Sequence, residues 1–230
     1  LGPLRDLVRR RAQREPLQHL LGTVEFLGLT LKSDARALIP RPETEQLCGM
    51  LVEQAKAADC IWKSGQVADV GTGSGCIALA IANALPEAKV AGFDSSDDAL
   101  TLARENAERT GLAARVAFAK GDLLSAAEGP LDLVIANLPY IPTAELAVLQ
   151  PEVRRDPPAA LDGGADGLAI IRRLLPQAAE KMRSDGVLAL EIGFDQAAVL
   201  AAELSTLGWR DTKIMKDHQG CDRFIFTTHG

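Results

Sequence analysis

Aromatic side chains are scarce in this chain, at 4% of 230 residues, and there is a single tyrosine. A surface that holds single-stranded nucleic acid by stacking needs such rings, and their scarcity speaks against one. Positive charge is not in excess either. The formal net charge is −6, whereas a protein gripping a phosphate backbone shows a basic face. Basic residues cluster once, at Arg5, Arg9, Arg10, Arg11 and Arg14. At helical spacing that cluster reads first as a solvated helix face, and second as a contact to nucleic acid or the ribosome. The four cysteines, Cys48, Cys60, Cys76 and Cys221, include no Cys-x-x-Cys pair. Zinc-finger and dithiol redox sites are therefore not expected, and free thiols in a reducing compartment are. No apolar run reaches the ~18 residues that span a bilayer. The arginine-rich start lacks the apolar stretch of a signal peptide. Internal repeats and low-complexity segments are absent too. A cytoplasmic protein without a metal is the expectation.

What is present points to one large folded domain with a short appendage: 47% hydrophobic and 24% charged residues are enough for a buried core. Leu1–Arg14 reads as a charged helix ended by Pro16. Glu25–Leu31 alternates as part of a small hairpin punctuated by Gly22 and Gly28. Pro42 opens a helix running to about Ala58. Beyond Gly65 strands and helices alternate. Strands fall at Val67–Val70, Lys89–Phe93, Arg115–Ala119, Leu131–Ala136 and Val187–Ile192. Helices fall at Cys76–Ala84, at Asp97–Arg109 with Asp97 as cap, at about Gly167–Lys181 and at about Gln196–Leu207. Two strands close the chain near Trp209–Met215 and Arg223–Thr227. This order predicts an α/β fold with a mostly parallel sheet covered on both faces, and an antiparallel pair at the end. Gly71, Asp94, Asp122 and Asn137 each follow a strand, on the edge where such sheets bind ligands.

Asp69-Val-Gly-Thr-Gly-Ser-Gly75 leaves a strand and enters a helix. Its glycines suit a tight turn that brings backbone close to a ligand; a plain turn is the simpler reading. A dinucleotide fingerprint would place the third glycine one position later, and a P-loop lysine is missing. Asp94 is placed to accept from ribose hydroxyls, or else to cap a turn. Asp122 is placed to accept from an adenine amine with Leu123 against the ring, or to serve as a turn aspartate. The Gly-x-Gly-x-Gly form with an acidic strand end resembles class I methyltransferases, which implies S-adenosyl-L-methionine as cofactor and S-adenosyl-L-homocysteine as product.

Asn137-Leu138-Pro139-Tyr140 follows the fourth strand. A planar amide or amine has its lone pair delocalised. It attacks a methyl sulfonium only when its N–H groups are held by acceptors and the lone pair is aimed. The Asn137 side-chain oxygen and the carbonyl at 138 suit that task, and Tyr140 could stack on the planar group. An ordinary Asn-x-Pro turn is the simpler alternative.

Longer segments carry a narrower resemblance. They are Pro16–Gly22, Ile39-Pro-Arg-Pro-Glu-Thr-Glu45, Ala103–Ala107, Asn137–Pro142, Pro151–Val153, Ala160-Leu-Asp-Gly-Gly164 with Asp166–Leu168, Leu190-Glu-Ile-Gly193 with Gln196, and Asp222-Arg223. With them the chain resembles the HemK/PrmC family, the glutamine N5-methyltransferases of peptide-chain release factors. The resemblance implies a Rossmann-like seven-stranded sheet with its last strand reversed. It implies cofactor contacts at Gly71, Thr72, Gly73, Ser74, Gly75, Asp94, Asp122, Leu123 and Asn137. It implies catalysis by Asn137, Pro139 and Tyr140 on the glutamine of a Gly-Gly-Gln loop, with Leu138 and Arg41 helping to bind it. A class 1 release factor is then the protein substrate of a monomer that contacts neither membrane nor nucleic acid. Residues 1–35 are expected to be the remnant of an N-terminal helical domain with its linker hairpin, and residues 36–230 the methyltransferase domain. Leu138 stands where the family has proline. Asn-Leu-Pro-Tyr is the form of rRNA adenine N6-dimethyltransferases, so an adenine acceptor is one alternative. A non-catalytic cofactor-binding module is another.

Overall fold

A computed structural model describes residues 2–57 and 59–230. Near the start lie helices α1 (Gly2–Ala12) and α2 (Leu17–Leu21) and a hairpin of β1 (Thr23–Phe26) and β2 (Leu29–Lys32). Then come α3 (Pro42–Gln54), β3 (Gln66–Val70), α4 (Cys76–Ala84), β4 (Lys89–Asp94), α5 (Asp97–Arg109), β5 (Val116–Lys120) and β6 (Leu131–Asn137). A stretch of short 3₁₀ turns spans 143–160, followed by α6 (Ala169–Lys181), β7 (Met182–Glu191), α7 (Ala197–Thr206), β8 (Arg210–Lys216) and β9 (Asp222–Thr228).

The main sheet has seven strands in the order β5-β4-β3-β6-β7-β9-β8. β9 runs antiparallel to both of its neighbours. This is the expected α/β sheet with a reversed last strand. Alternate residues of each strand serve opposite layers. Leu133 and Ile135 of β6 pack into the core under α3 and α4. Val134 and Ala136 pack into the core under α6 and α7. Burial on both faces explains why Leu133–Ala136 of β6 reads as a continuous apolar run. Strand order reverses between β3 and β6, so the loops after these two strands open onto one crevice.

Several local expectations are corrected. α1 ends at Ala12, ahead of the expected Arg14, and an additional helix, Leu17–Leu21, starts directly after Pro16: proline forbids helix behind it but not ahead of it. Glu25–Leu31 is not one strand. Leu27 and Gly28 both have positive φ and make the two-residue turn between β1 and β2. Glu45 Oε1 accepts from Leu27 N–H at 2.7 Å, which holds that turn against α3. α3 stops at Gln54, short of the expected end; Leu1 and Ala58, the outer ends of two expected helices, lie outside the described residues. The cap of α5 is Ser96, whose hydroxyl accepts from Ala99 N–H; Asp97 is already helical. β7 begins at Met182 rather than Val187. Four arginines of the N-terminal cluster pair with acids: Arg9 with Asp6, Arg10 with Glu15, and Arg11 and Arg14, the last just beyond α1, with Glu152. Among the described residues no helix is long and apolar enough to cross a membrane.

Candidate active site

At the crevice between β3 and β6 lies a cavity of about 250 Å³. Gly71, Thr72, Gly73, Ser74, Asp94, Asp122, Leu123, Asn137, Leu138 and Pro139 all line it, so four separate loops meet as the sequence suggests.

The loop after β3 is held from below by Asp69. This carboxylate is fully buried. Its Oδ2 accepts from the Thr72 hydroxyl at 2.6 Å and from Ala78 N–H in the first turn of α4 at 3.1 Å. It therefore satisfies a helix-end donor that no local cap serves. Burial pushes its pKa up to about 7, against the pull of those two hydrogen bonds. Asp94 braces the loop from the side: Oδ2 accepts from Gly73 N–H at 2.9 Å and Oδ1 from Ser96 N–H at 2.9 Å. A carboxylate offers about four acceptor positions, so each oxygen has one to spare for a hydroxyl.

The glycines divide the work. A Cβ on Gly73 would find only Ala37 Cβ at 3.7 Å and backbone beyond it, which leaves room over the loop for a ligand. A Cβ on Gly75 would lie 3.2 Å from Ala103 Cβ and Phe118 Cζ. Gly75 does not line the cavity. The bare α-carbon there lets the loop pack closely on α5 and β5.

Asn137 ends β6, and its Nδ2 donates to Thr44 Oγ1 at 2.8 Å. The Thr44 hydroxyl donates onward to Glu191 Oε2 at 2.7 Å. Tyr140 donates from its phenol to Glu191 Oε1 at 3.3 Å. Glu191 is 1% exposed, and burial pushes its carboxyl up to about 7. Tyr140 is not in the cavity wall. Its hydroxyl is turned to Glu191 and its carbonyl to Gln196 Nε2, so it anchors the loop. Arg41 is likewise outside the wall. Its guanidinium pairs with the buried Asp156, which also accepts from Ile39 N–H. Arg41 thus latches the Pro40–Glu45 segment to the 151–160 loop, while Pro40 and Thr44 of the same segment reach the cavity.

Leu138 has a structural account. Its side chain is 4% exposed, and its Cδ2 would lie 2.9 Å from a Cβ on Gly71. It fills the space between the two loops. Cys76 also lines the cavity, but burial pushes its thiol up to about 12, so it is no competing nucleophile.

Thr44 and Glu191, joined to Asn137 by hydrogen bonds, are residues that the sequence reading leaves without a role. A carboxylate inside the apolar run Val187–Ile192 is the signal that could have found Glu191, since buried charge is retained where it is used. The donor set fits S-adenosylmethionine. The acidic strand end at Asp94 suits vicinal hydroxyls, a methyl-free cradle lies at Gly73, and an apolar floor of Leu123 and Leu138 suits a purine and a thioether.

Residues 45–150 match the family model "Methyltransferase small domain". A release factor glutamine methyltransferase of Deinococcus radiodurans is 46% identical over 220 residues, 96% of this chain and 77% of that protein. One of Geobacter sulfurreducens is 44% identical over 227 residues, 98% of this chain and 77% of that protein. Among solved structures, a ribosomal protein L11 methylase from Lactobacillus delbrueckii subsp. bulgaricus superposes with a TM-score of 0.61 at 25% identity, over 86% of this chain and 84% of the other. Identity of this degree along nearly the whole chain, with the methyltransferase sheet and its crevice in place, shows that the chain belongs to the release factor glutamine methyltransferase family.

Proposed function

We propose that this chain transfers the methyl group of S-adenosylmethionine to the side-chain amide nitrogen of the glutamine in the Gly-Gly-Gln loop of a class 1 release factor. The observation that carries the reading is the contact between the two loops. The Leu138 side chain and the Asn137 carbonyl oxygen lie 2.9 and 4.0 Å from the Cβ position of Gly71. Cofactor cradle and amide clamp therefore share one wall.

S-adenosylmethionine supplies an electrophilic methyl group on a positively charged sulfur. The chain supplies position and polarity. Asp94 accepts from the ribose hydroxyls, and Asp122 and Leu123 bracket the purine. Asn137 Oδ1 and the Leu138 carbonyl accept the two N–H groups of the glutamine amide. Those two bonds aim its lone pair at the methyl carbon and draw electron density onto the nitrogen. A new N–C bond forms as the S–C bond breaks, and the surplus proton leaves the nitrogen for solvent. Leucine at 138 serves because the acceptor there is main-chain carbonyl.

The test is peptide mass spectrometry of a release factor incubated with this protein and S-adenosylmethionine, beside undermethylated rRNA. One added methyl group on the Gly-Gly-Gln glutamine is expected. Label entering only the rRNA would overturn the reading, and label entering neither would leave a binding module.

A further inference from the structure

An asparagine side chain has two ends of nearly equal size and opposite hydrogen-bonding character. Left alone, it turns over freely, and half the time it would offer an NH₂ to the cavity. A donor there meets the N–H groups of an acceptor amide head-on, so the wrong orientation forbids the clamp.

The hydrogen bonds behind Asn137 break that symmetry. Glu191 as a carboxylate can only accept. The single proton of the Thr44 hydroxyl is therefore committed to Glu191 Oε2, 2.7 Å away. What Thr44 has left for Asn137 is a lone pair, and the amide meets it with Nδ2 at 2.8 Å. Oδ1 is the end that remains for the cavity that Asn137 lines. Thr44 is 2% and Glu191 1% exposed, so water does not compete for either bond.

We propose, building on the function above, that Thr44 and Glu191 are positioning residues for methyl transfer: a two-bond relay from a buried carboxylate that fixes the Asn137 amide with its oxygen toward the acceptor nitrogen. The relay also makes the orientation depend on the charge of Glu191. A protonated Glu191 can donate to Thr44, whose own proton then favours Asn137 Oδ1, and the amide turns over. The groups that set this ionisation are Tyr140, Arg223 on β9 and Glu43 on α3; the buried thiols of Cys48 and Cys76 lie in the same neighbourhood. Arg223 favours the carboxylate and Glu43 disfavours it.

The experiment compares the parent with Thr44→Val, Thr44→Ser and Glu191→Gln. Single-turnover methylation of the release factor is followed across neutral pH, with calorimetric binding of S-adenosylmethionine as the check on folding. Thr44→Val keeps the shape and loses the hydroxyl. Turnover should drop about ten- to a hundredfold, the scale for losing one oriented group at a reacting centre. Cofactor affinity should stay within about twofold, a change of under 1 kcal/mol. Serine restores the hydroxyl and should restore most of the rate. The parent should lose activity as the pH falls through about 7, where Glu191 takes up a proton. Glu191→Gln should be slower and lack that limb. In the free protein the Asn137 side-chain NH₂ resonances should shift with pH in the parent and not in Glu191→Gln. Parent-like turnover in Thr44→Val, or no rescue by serine, overturns the relay. Should Thr44→Val fail to bind cofactor, the Glu191→Gln pH profile decides: a limb unchanged from the parent overturns the proposal. A parent that leaves the release factor unmethylated sinks the function itself and the relay with it.

Discussion

Alanine at Gly75 should cost stability and spare the cofactor, and alanine at Gly73 should do the reverse. Two penalties add at Gly75. Its φ is +82°, a left-handed conformation that costs an L-residue about 1–2 kcal/mol. The new methyl would also sit 3.2 Å from Ala103 Cβ and Phe118 Cζ and 3.3 Å from Ala103 Cα, and the α5 side of that contact gives only by shifting backbone. Overpacking of that kind costs about 1–3 kcal/mol. The sum is about 2–5 kcal/mol, and for a chain of this size each kcal/mol moves Tm by about 2–4 °C. A fall of roughly 10 °C is the central expectation. Gly73 has φ +54° and an ordinary neighbour at 3.7 Å, so its alanine variant should lose only about 1 kcal/mol. Its methyl projects over the cradle, however, and should weaken S-adenosylmethionine binding about tenfold or more, 1.4 kcal/mol being tenfold. Thermal unfolding by circular dichroism without cofactor gives the first quantity. Calorimetric titration well below either Tm gives the second. A Gly75→Ala protein that melts like the parent but binds cofactor poorly would place Gly75 against the ligand and refute the division of labour.

Arg41→Ala should destabilise by about 2 kcal/mol near pH 8, less than the 3–5 kcal/mol of a fully buried pair because Arg41 is 31% exposed. The loss should shrink as the pH falls, because burial already raises the Asp156 pKa and removing Arg41 takes away a group that lowers it; urea unfolding giving equal losses at every pH would contradict the latch. Stability of the parent should itself fall as the pH rises toward 8. Asp69 and Glu191 hold pKa values of about 7 in the folded chain, against about 3.9 and 4.3 when unfolded. The folded chain thus keeps protons that the unfolded chain releases between those values. The stability they confer is complete below about 4 and lost as the pH climbs through 7. Asp69→Asn, which does not titrate, should flatten that decline in urea unfolding, and an unaltered slope would contradict the assignment.

The sheet is legible in the sequence because its strands are buried on both faces and its helices carry their own punctuation. Leu131–Ala136 is apolar apart from Asp132, and Gly111 follows α5 in the left-handed conformation. The cofactor loop and the Asn137 loop were legible for the same reason: each is fixed by the strand it follows. Four things were not. α2 is five residues long and exposed, too short to show a period. The Leu27-Gly28 turn places a leucine at positive φ, which no local preference predicts; Glu45, 18 residues away, holds it there. The orientation of Tyr140 depends on Glu191 and Gln196, more than 50 positions on. Gly75 looks like its loop partners until α5 and β5 are folded against it. The last three are long-range contacts deciding a local outcome.

The placement of β9 has a consequence in time. β8 joins the sheet only through β9, and β9 lies beside β7, with Phe224 opposite Glu191. Until β9 inserts, β7 is an open edge, and a Glu191 opened to water would titrate as an exposed carboxyl does and share its bond to Thr44 with solvent. The glycine loop, by contrast, draws on β3, α4 and β4, all earlier in the chain. During synthesis the capacity to hold cofactor should therefore mature before the capacity to aim an acceptor at it, and methylation would begin only once the C-terminal strand has closed the sheet.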